Sequence, residues 1–122
     1  MKFIFASNSP RRKKLLSNFN LDIKFIPHRF NENSVDKNID PYSYSEIISK
    51  EKANSLVDIY PNKIILSADT IVLSPDNKIF EKPKDKEDAY TMLRELSGEK
   101  HQVLTGVSII QKQGKINFSF VE

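Results

Sequence analysis

The run Ile64-Ile65-Leu66-Ser67-Ala68-Asp69-Thr70-Ile71-Val72-Leu73 decides the fold. It is short, rich in β-branched and aliphatic side chains, and almost continuously apolar, which predicts a central strand buried on both faces. The strand is expected over residues 63–73, entered after Pro61 and left at the turn residues Ser74-Pro75-Asp76-Asn77. A further short strand follows at Ile79-Phe80. One carboxylate, Asp69, interrupts the run, and a charge inside an apolar strand must be paired, protonated or bound to metal.

Helix and strand signals alternate on both sides of this run. Upstream, Phe3-Ile4-Phe5-Ala6 is a short buried strand leading through Ser7-Asn8-Ser9-Pro10 into a helix that reaches about Phe19. Ser9 is an effective N-cap and Pro10 suits the first helical position. Residues 22–27 form a second strand and residues 29–38 a polar loop. Asp40-Pro41 then opens a long helix that stops before Pro61. Downstream, Asp85 caps a helix whose Ala89, Met92, Leu93 and Leu96 are expected to point inward, with Gly98 as the stop. Gln102–Gln111 and residues 115–121 are strands joined at Gln113-Gly114. The pattern is that of one α/β domain over residues 1–122, a mixed sheet flanked by helices.

Composition removes several function classes. The 122 residues are 39% hydrophobic and 29% charged, enough apolar material for a core and too much for disorder. There is no cysteine and there are two histidines, His28 and His101, so thiol nucleophiles, disulfide frameworks and multi-histidine metal sites are excluded. No apolar stretch approaches the ~18 residues of a membrane span, and the N-terminal apolar run is too short for a signal peptide. A soluble, cytoplasmic protein is expected. The net charge of +3 suits an anionic ligand, but it is not the concentrated basic stripe of a nucleic-acid binder.

Three further features break local rules, as functional sites tend to. Arg11 and Arg12 sit in the first turn of a helix, where cations are disfavoured unless an anion binds there. The alternative is that both side chains simply face water. Lys52 lies in the same helical arc as Tyr44, Ile48, Ser55, Leu56 and Ile59, where an ammonium needs a partner, a cavity or a stem that snorkels outward. Lys82-Pro83, by itself, is an ordinary surface pair. For Asp69 the structural alternatives are a hydrogen bond from a loop or an interior salt bridge.

Taken in order, these residues resemble the Maf-like nucleoside triphosphate pyrophosphatases. The resemblance rests on Ala6-Ser7-Asn8-Ser9-Pro10-Arg11-Arg12, Lys50-Glu51-Lys52-Ala53, Ser67-Ala68-Asp69-Thr70-Ile71-Val72, Lys82-Pro83, Leu96-Ser97-Gly98 and His101-Gln102-Val103-Leu104-Thr105-Gly106-Val107. Each block alone is weak, whereas their order and spacing from Phe3 to about Ile110 are specific. The resemblance implies an inosine-triphosphatase-like α/β fold and hydrolysis of a nucleoside triphosphate to the monophosphate and pyrophosphate with Mg²⁺ or Mn²⁺. Asp69-Thr70 resembles the branch acting on dTTP and UTP, since the branch acting on methylated guanosine triphosphate typically carries Asp-Gln.

Carried over position by position, Asp69 corresponds to the general base. Ser7, Arg11, Arg12, Lys52 and Lys82 correspond to phosphate binders, with Arg11 and Thr70 also involved in substrate choice. Glu32 corresponds to the acidic metal residue, together with Asp69. The sequence departs from the family pattern at Ser49, Ser67 and Glu81, and it ends before the family's C-terminal segments, including Asp-Lys-Ala-Gly and Ile-Gln-Gly. From the alternating Ile116, Phe118 and Phe120, self-association through the C-terminal strands is expected. The alternative function is a truncated, catalytically impaired relative that binds nucleotide or a partner without turnover.

Overall fold

A computed structural model of the chain describes residues 3–16, 22–76, 78–81, 85–98, 101–112 and 116–121. In chain order these form β1 (Phe3–Ala6), α1 (Pro10–Leu16), β2 (Ile23–Ile26), α2 (Pro41–Val57), β3 (Ile64–Leu73), β4 (Ile79–Phe80), α3 (Lys86–Leu96), β5 (Gln102–Gln111) and β6 (Ile116–Val121). The strands make one mixed sheet in the order β2-β1-β3-β5-β6, with β4 also on β3. β1 runs parallel to β2 and β3, while β5 runs antiparallel to both of its neighbours, β3 and β6.

The long strand β3 is paired unequally along its two edges. Against β5 it is paired from Ile65 to Leu73. On the other edge β1 reaches only Leu66, and β4 begins only at Val72. Among the described residues, positions 67–71 therefore have no strand on that edge. The split lies beside the C-terminal end of β1, where the chain leaves for β2 on one side and β3 pairs on the other. Open α/β sheets offer ligand crevices at such switch points.

The helix α2 covers one face. Asp40 caps it, its carboxylate accepting from the Ser43 amide at 3.1 Å, and Pro41 occupies the first turn. Its Ala53 and Leu56 pack with Ile4, Ala6, Ile65 and Ile110. Tyr44 and Ile48 pack with Ile71, Leu73 and Leu104. Full burial of one such aliphatic side chain contributes about 1.5–3 kcal/mol. Small residues bring the helix close to the sheet. The Ser49 and Ser108 hydroxyls meet at 2.9 Å, the Ser67 hydroxyl donates to the Ser49 carbonyl, and Gly106 faces the backbone of Ser45.

Three expectations need correction. β3 is buried on the α2 face only; Ile64, Leu66, Ala68 and Val72 on the other face are half-buried, and Thr70 is exposed. Apolar content alone does not reveal that a strand has a single covered face. Ile59 is exposed because α2 ends at Val57, so the helical rotation that aligned it with Leu56 no longer applies. Leu93 is 69% exposed on α3, although Ala89 and Met92 are half-buried. The capping of α3 by Asp85 and its stop at Gly98, with φ near +74°, are as the sequence predicts. The end of the first helix beyond Leu16, the turn at Gln113-Gly114 and the side chains of Leu96, Ile116 and Phe120 lie outside what is described. On the face away from α2, Val103 and Phe118 are exposed. No helix among the described residues is long and apolar enough to cross a membrane.

Candidate active site

Alternation along β3 carries Asp69 to the α2 face with Ile65, Ser67 and Ile71, and its exposure falls to 7%. Helical rotation carries Lys52 to the same place between Ile48 and Leu56. The Lys52 ammonium donates to Asp69 Oδ1 at 3.1 Å. It also meets Glu32 Oε1 at 2.9 Å. Lys52 thus has the partner that its buried position demands.

Glu32 arrives from a loop that its polar composition does not show to be anchored. Phe30, Val35 and Ile39 insert into the core around Tyr44 and Ile48. The Ser55 hydroxyl donates to the Lys52 carbonyl at 2.7 Å and accepts from the Arg29 amide at 2.9 Å. Asn31 then caps a 3-10 turn over Glu32–Ser34. These contacts fix the loop to α2 and aim Glu32 at Lys52.

The electrostatics of this trio are uneven. Asp69 Oδ2 is buried and has no hydrogen-bond partner among the described residues. Burial pushes the Asp69 carboxyl above the usual carboxylate range, Lys52 opposes that rise, and the charges of Glu81 and Glu32 add to it. The group is therefore a better proton acceptor than an exposed aspartate, provided that a cation keeps it ionised.

Two neighbours complete the surroundings, and sequence reasoning assigned neither. His28 sits by the trio: burial and then the Lys52 charge hold its imidazole below the ordinary value, against the opposing charge of Glu32. Its Nδ1 accepts from the Phe30 amide at 3.3 Å, and Nε2 lies 3.3 Å from the Asn8 side-chain amide. Tyr44, fully buried, donates its hydroxyl to Glu81 Oε1 at 2.6 Å, and Lys37 meets Glu81 Oε2 at 3.1 Å. The charge of Glu81 is thus engaged on α2 and the preceding loop. The available signals were a polar hydroxyl on an apolar helix face and a histidine next to the acidic loop.

The sheet split holds the second group. Ser7, at the end of β1, is buried; its amide donates to the Ile26 carbonyl and its hydroxyl accepts from the Ser9 amide, both at 3.0 Å. Ser9 caps α1 by accepting from the Arg12 amide. Arg12 donates to the Ala68 carbonyl at 3.0 Å and the Thr70 hydroxyl at 3.2 Å, supplying donors on an edge where no strand pairs. Thr70 also meets the Thr105 hydroxyl at 3.1 Å. Asp69, Lys52 and Glu32 therefore meet on the α2 side, whereas Arg12, Ser7 and Thr70 gather at the split. The Arg11 side chain and Lys82 lie outside what is described.

The chain is thus an α/β protein with a mixed sheet split along its central strand, an arginine in the split and, beside it, a carboxylate–ammonium trio in which Lys52 and Asp69 are buried and Glu32 is partly exposed. The same fold occurs in a nucleoside-triphosphatase / dITP/XTP pyrophosphatase from Mycobacterium abscessus, at TM-score 0.65 and 12% identity, covering 100% of this chain and 71% of that one. It occurs also in the Ham1 protein of Staphylococcus aureus, at TM-score 0.60 and 13% identity, covering 99% and 68%. The chain belongs to the Maf-like protein family, whose model matches residues 2–122. Similar relatives include proteins named dTTP/UTP pyrophosphatase from Ruminiclostridium cellulolyticum, 42% identical over 93% of this chain and 58% of that protein. Another, from Thermosipho africanus, is 44% identical over 98% of this chain and 59% of that protein. The chain thus spans somewhat more than half the length of these curated relatives.

Proposed function

We propose that this chain is a nucleoside triphosphate pyrophosphatase acting on dTTP and UTP. The observation that carries the reading is Asp69, a buried carboxylate with one oxygen on Lys52 and the other without a partner. Support comes also from relatives about 40% identical whose names state that activity.

In the reaction, water attacks the α-phosphorus and gives a proton to Asp69. A new P–O bond forms, the bond to the β-phosphate oxygen breaks, and pyrophosphate leaves. Charge moves onto the leaving group, so the cations Arg11, Arg12, Lys52 and Lys82 and the hydroxyl of Ser7 are assigned to the phosphates. Arg11 and Thr70 are assigned to substrate choice. A divalent cation fits the donors present: Asp69 has an orphaned oxygen, and Glu32 converges on the same ammonium. Glu32 and Asp69 would hold it, and it would supply Lewis-acid stabilisation of the phosphate oxygens.

The test is pyrophosphate release from a nucleotide panel, with the protein and its Asp69→Asn variant. dTTP and UTP are expected to turn over ahead of purine nucleotides. Faster release from methylated guanosine triphosphate would overturn the substrate assignment. Asp69→Asn is expected to lose turnover by at least a hundredfold while retaining nucleotide binding. Full activity in a folded variant would remove Asp69 as the base.

A further inference from the structure

Lys52 is asked to do two incompatible things in the same place. Its ammonium contacts Asp69 Oδ1 at 3.1 Å and Glu32 Oε1 at 2.9 Å, and its side chain is 9% exposed. Those oxygens belong to the two carboxylates that would hold a divalent cation. A carboxylate oxygen that points a lone pair at an ammonium about 3 Å away cannot also present it to a metal at bonding distance. Nor do two positive centres share one pair of carboxylates at such short range without repulsion.

On Asp69 the second oxygen is enclosed as well. Asp69 Oδ2 is shielded from solvent and lacks a donor among the described residues, a costly state for a buried charged oxygen. The arrangement is thus satisfied on the Lys52 side and unsatisfied on the other. A buried salt bridge repays its desolvation only when further hydrogen bonds satisfy the remaining lone pairs of the carboxylate.

We propose that Lys52 is a place-holder for the divalent cation: it neutralises Glu32 and Asp69 while the site is unloaded, and leaves them when metal binds. Its four-carbon stem lets the ammonium move while the helix stays fixed, and departure makes the same charge available to the phosphates. The inference rests on the reading of Glu32 and Asp69 as the metal-holding pair. It adds that Lys52 opposes metal binding in the absence of nucleotide, although the reaction requires it later.

The test needs no turnover. Mn²⁺ alone is titrated into the protein, Lys52→Met and Lys52→Gln, and bound metal is read by electron paramagnetic resonance. Both variants are expected to bind Mn²⁺ at least tenfold more tightly than the unsubstituted protein, and adding Asp69→Asn to Lys52→Met is expected to abolish the gain. Lys52→Gln keeps an N–H donor for Asp69, so it carries the comparison if Lys52→Met fails to fold. Mn²⁺ is also expected to raise its thermal midpoint more than that of the unsubstituted protein. Equal or weaker Mn²⁺ binding in the folded variants overturns the place-holder role and leaves the metal reading standing. Absence of Mn²⁺ binding in every protein overturns the metal reading, and the place-holder with it.

Discussion

Replacing Gly106 by alanine tests the closest approach in the fold. A Cβ built there would lie 2.3 Å from the Ser45 carbonyl oxygen, 2.6 Å from its carbon and 3.0 Å from the Glu46 nitrogen. All three atoms are backbone in the second turn of α2, so no side-chain rotation relieves the clash. To bring the nearest contact even to 3.0 Å, helix and strand must separate by roughly 0.7 Å. Overpacking of this kind costs about 1–3 kcal/mol, and a rigid helix places it near the upper end. At about 4 °C per kcal/mol for a domain of this length, the thermal midpoint should fall by roughly 10 °C. The consequence extends to the site, because Asp69 pairs with Gly106 across the sheet and Lys52 lies two turns beyond Ser45 on the same helix. Gly98→Ala is the control. Nothing stands within 4 Å of that position, and only its positive φ is penalised, at about 1 kcal/mol. Urea unfolding, with dTTP hydrolysis measured alongside, reads both variants. A Gly106→Ala protein less than about 0.5 kcal/mol below the parent, with unchanged hydrolysis, would refute the claim that α2 is held rigidly against β5.

Two further changes probe the surroundings of the trio. Tyr44→Phe removes the 2.6 Å hydrogen bond to Glu81 while preserving shape, and should cost about 1–3 kcal/mol in urea unfolding; a loss near zero would mean that Lys37 and water satisfy Glu81 fully. His28→Gln reports on pH. Burial and Lys52 lower the folded imidazole below 6.5, so the unfolded chain binds more protons as pH falls through that value. The stabilising contribution is complete above pH 6.5 and declines below it toward the folded value. The thermal midpoint of the parent should therefore drop more steeply than that of His28→Gln below pH 6.5, and parallel curves would show that the imidazole is uncoupled.

The local elements were legible because their causes are local. Asp40-Pro41 and Asp85 cap helices through bonds to residues three positions on, and Gly98 ends one by a backbone conformation that favours glycine. Asp69 and Lys52 announced themselves by being charged where the chain's own periodicity put apolar neighbours. That signal does not depend on what they touch. The Ser67 hydroxyl and the Glu81 carboxylate looked like departures, yet each has a partner on α2.

What the chain alone could not reveal are the meetings between distant segments. Glu32, Lys52 and Asp69 converge because Phe30, Val35 and Ile39 anchor a loop that reads as merely polar. Arg12 reaches the Ala68 carbonyl because the pairing of β1 with β3 stops at Leu66 and leaves an edge unpaired, a matter of strand register over 56 residues of separation. The one-sided burial of β3 was hidden for the same reason. Periodicity sets which side chains share a face, but only packing decides whether that face is covered, and burial in turn makes Asp69 a stronger base than its sequence neighbours imply.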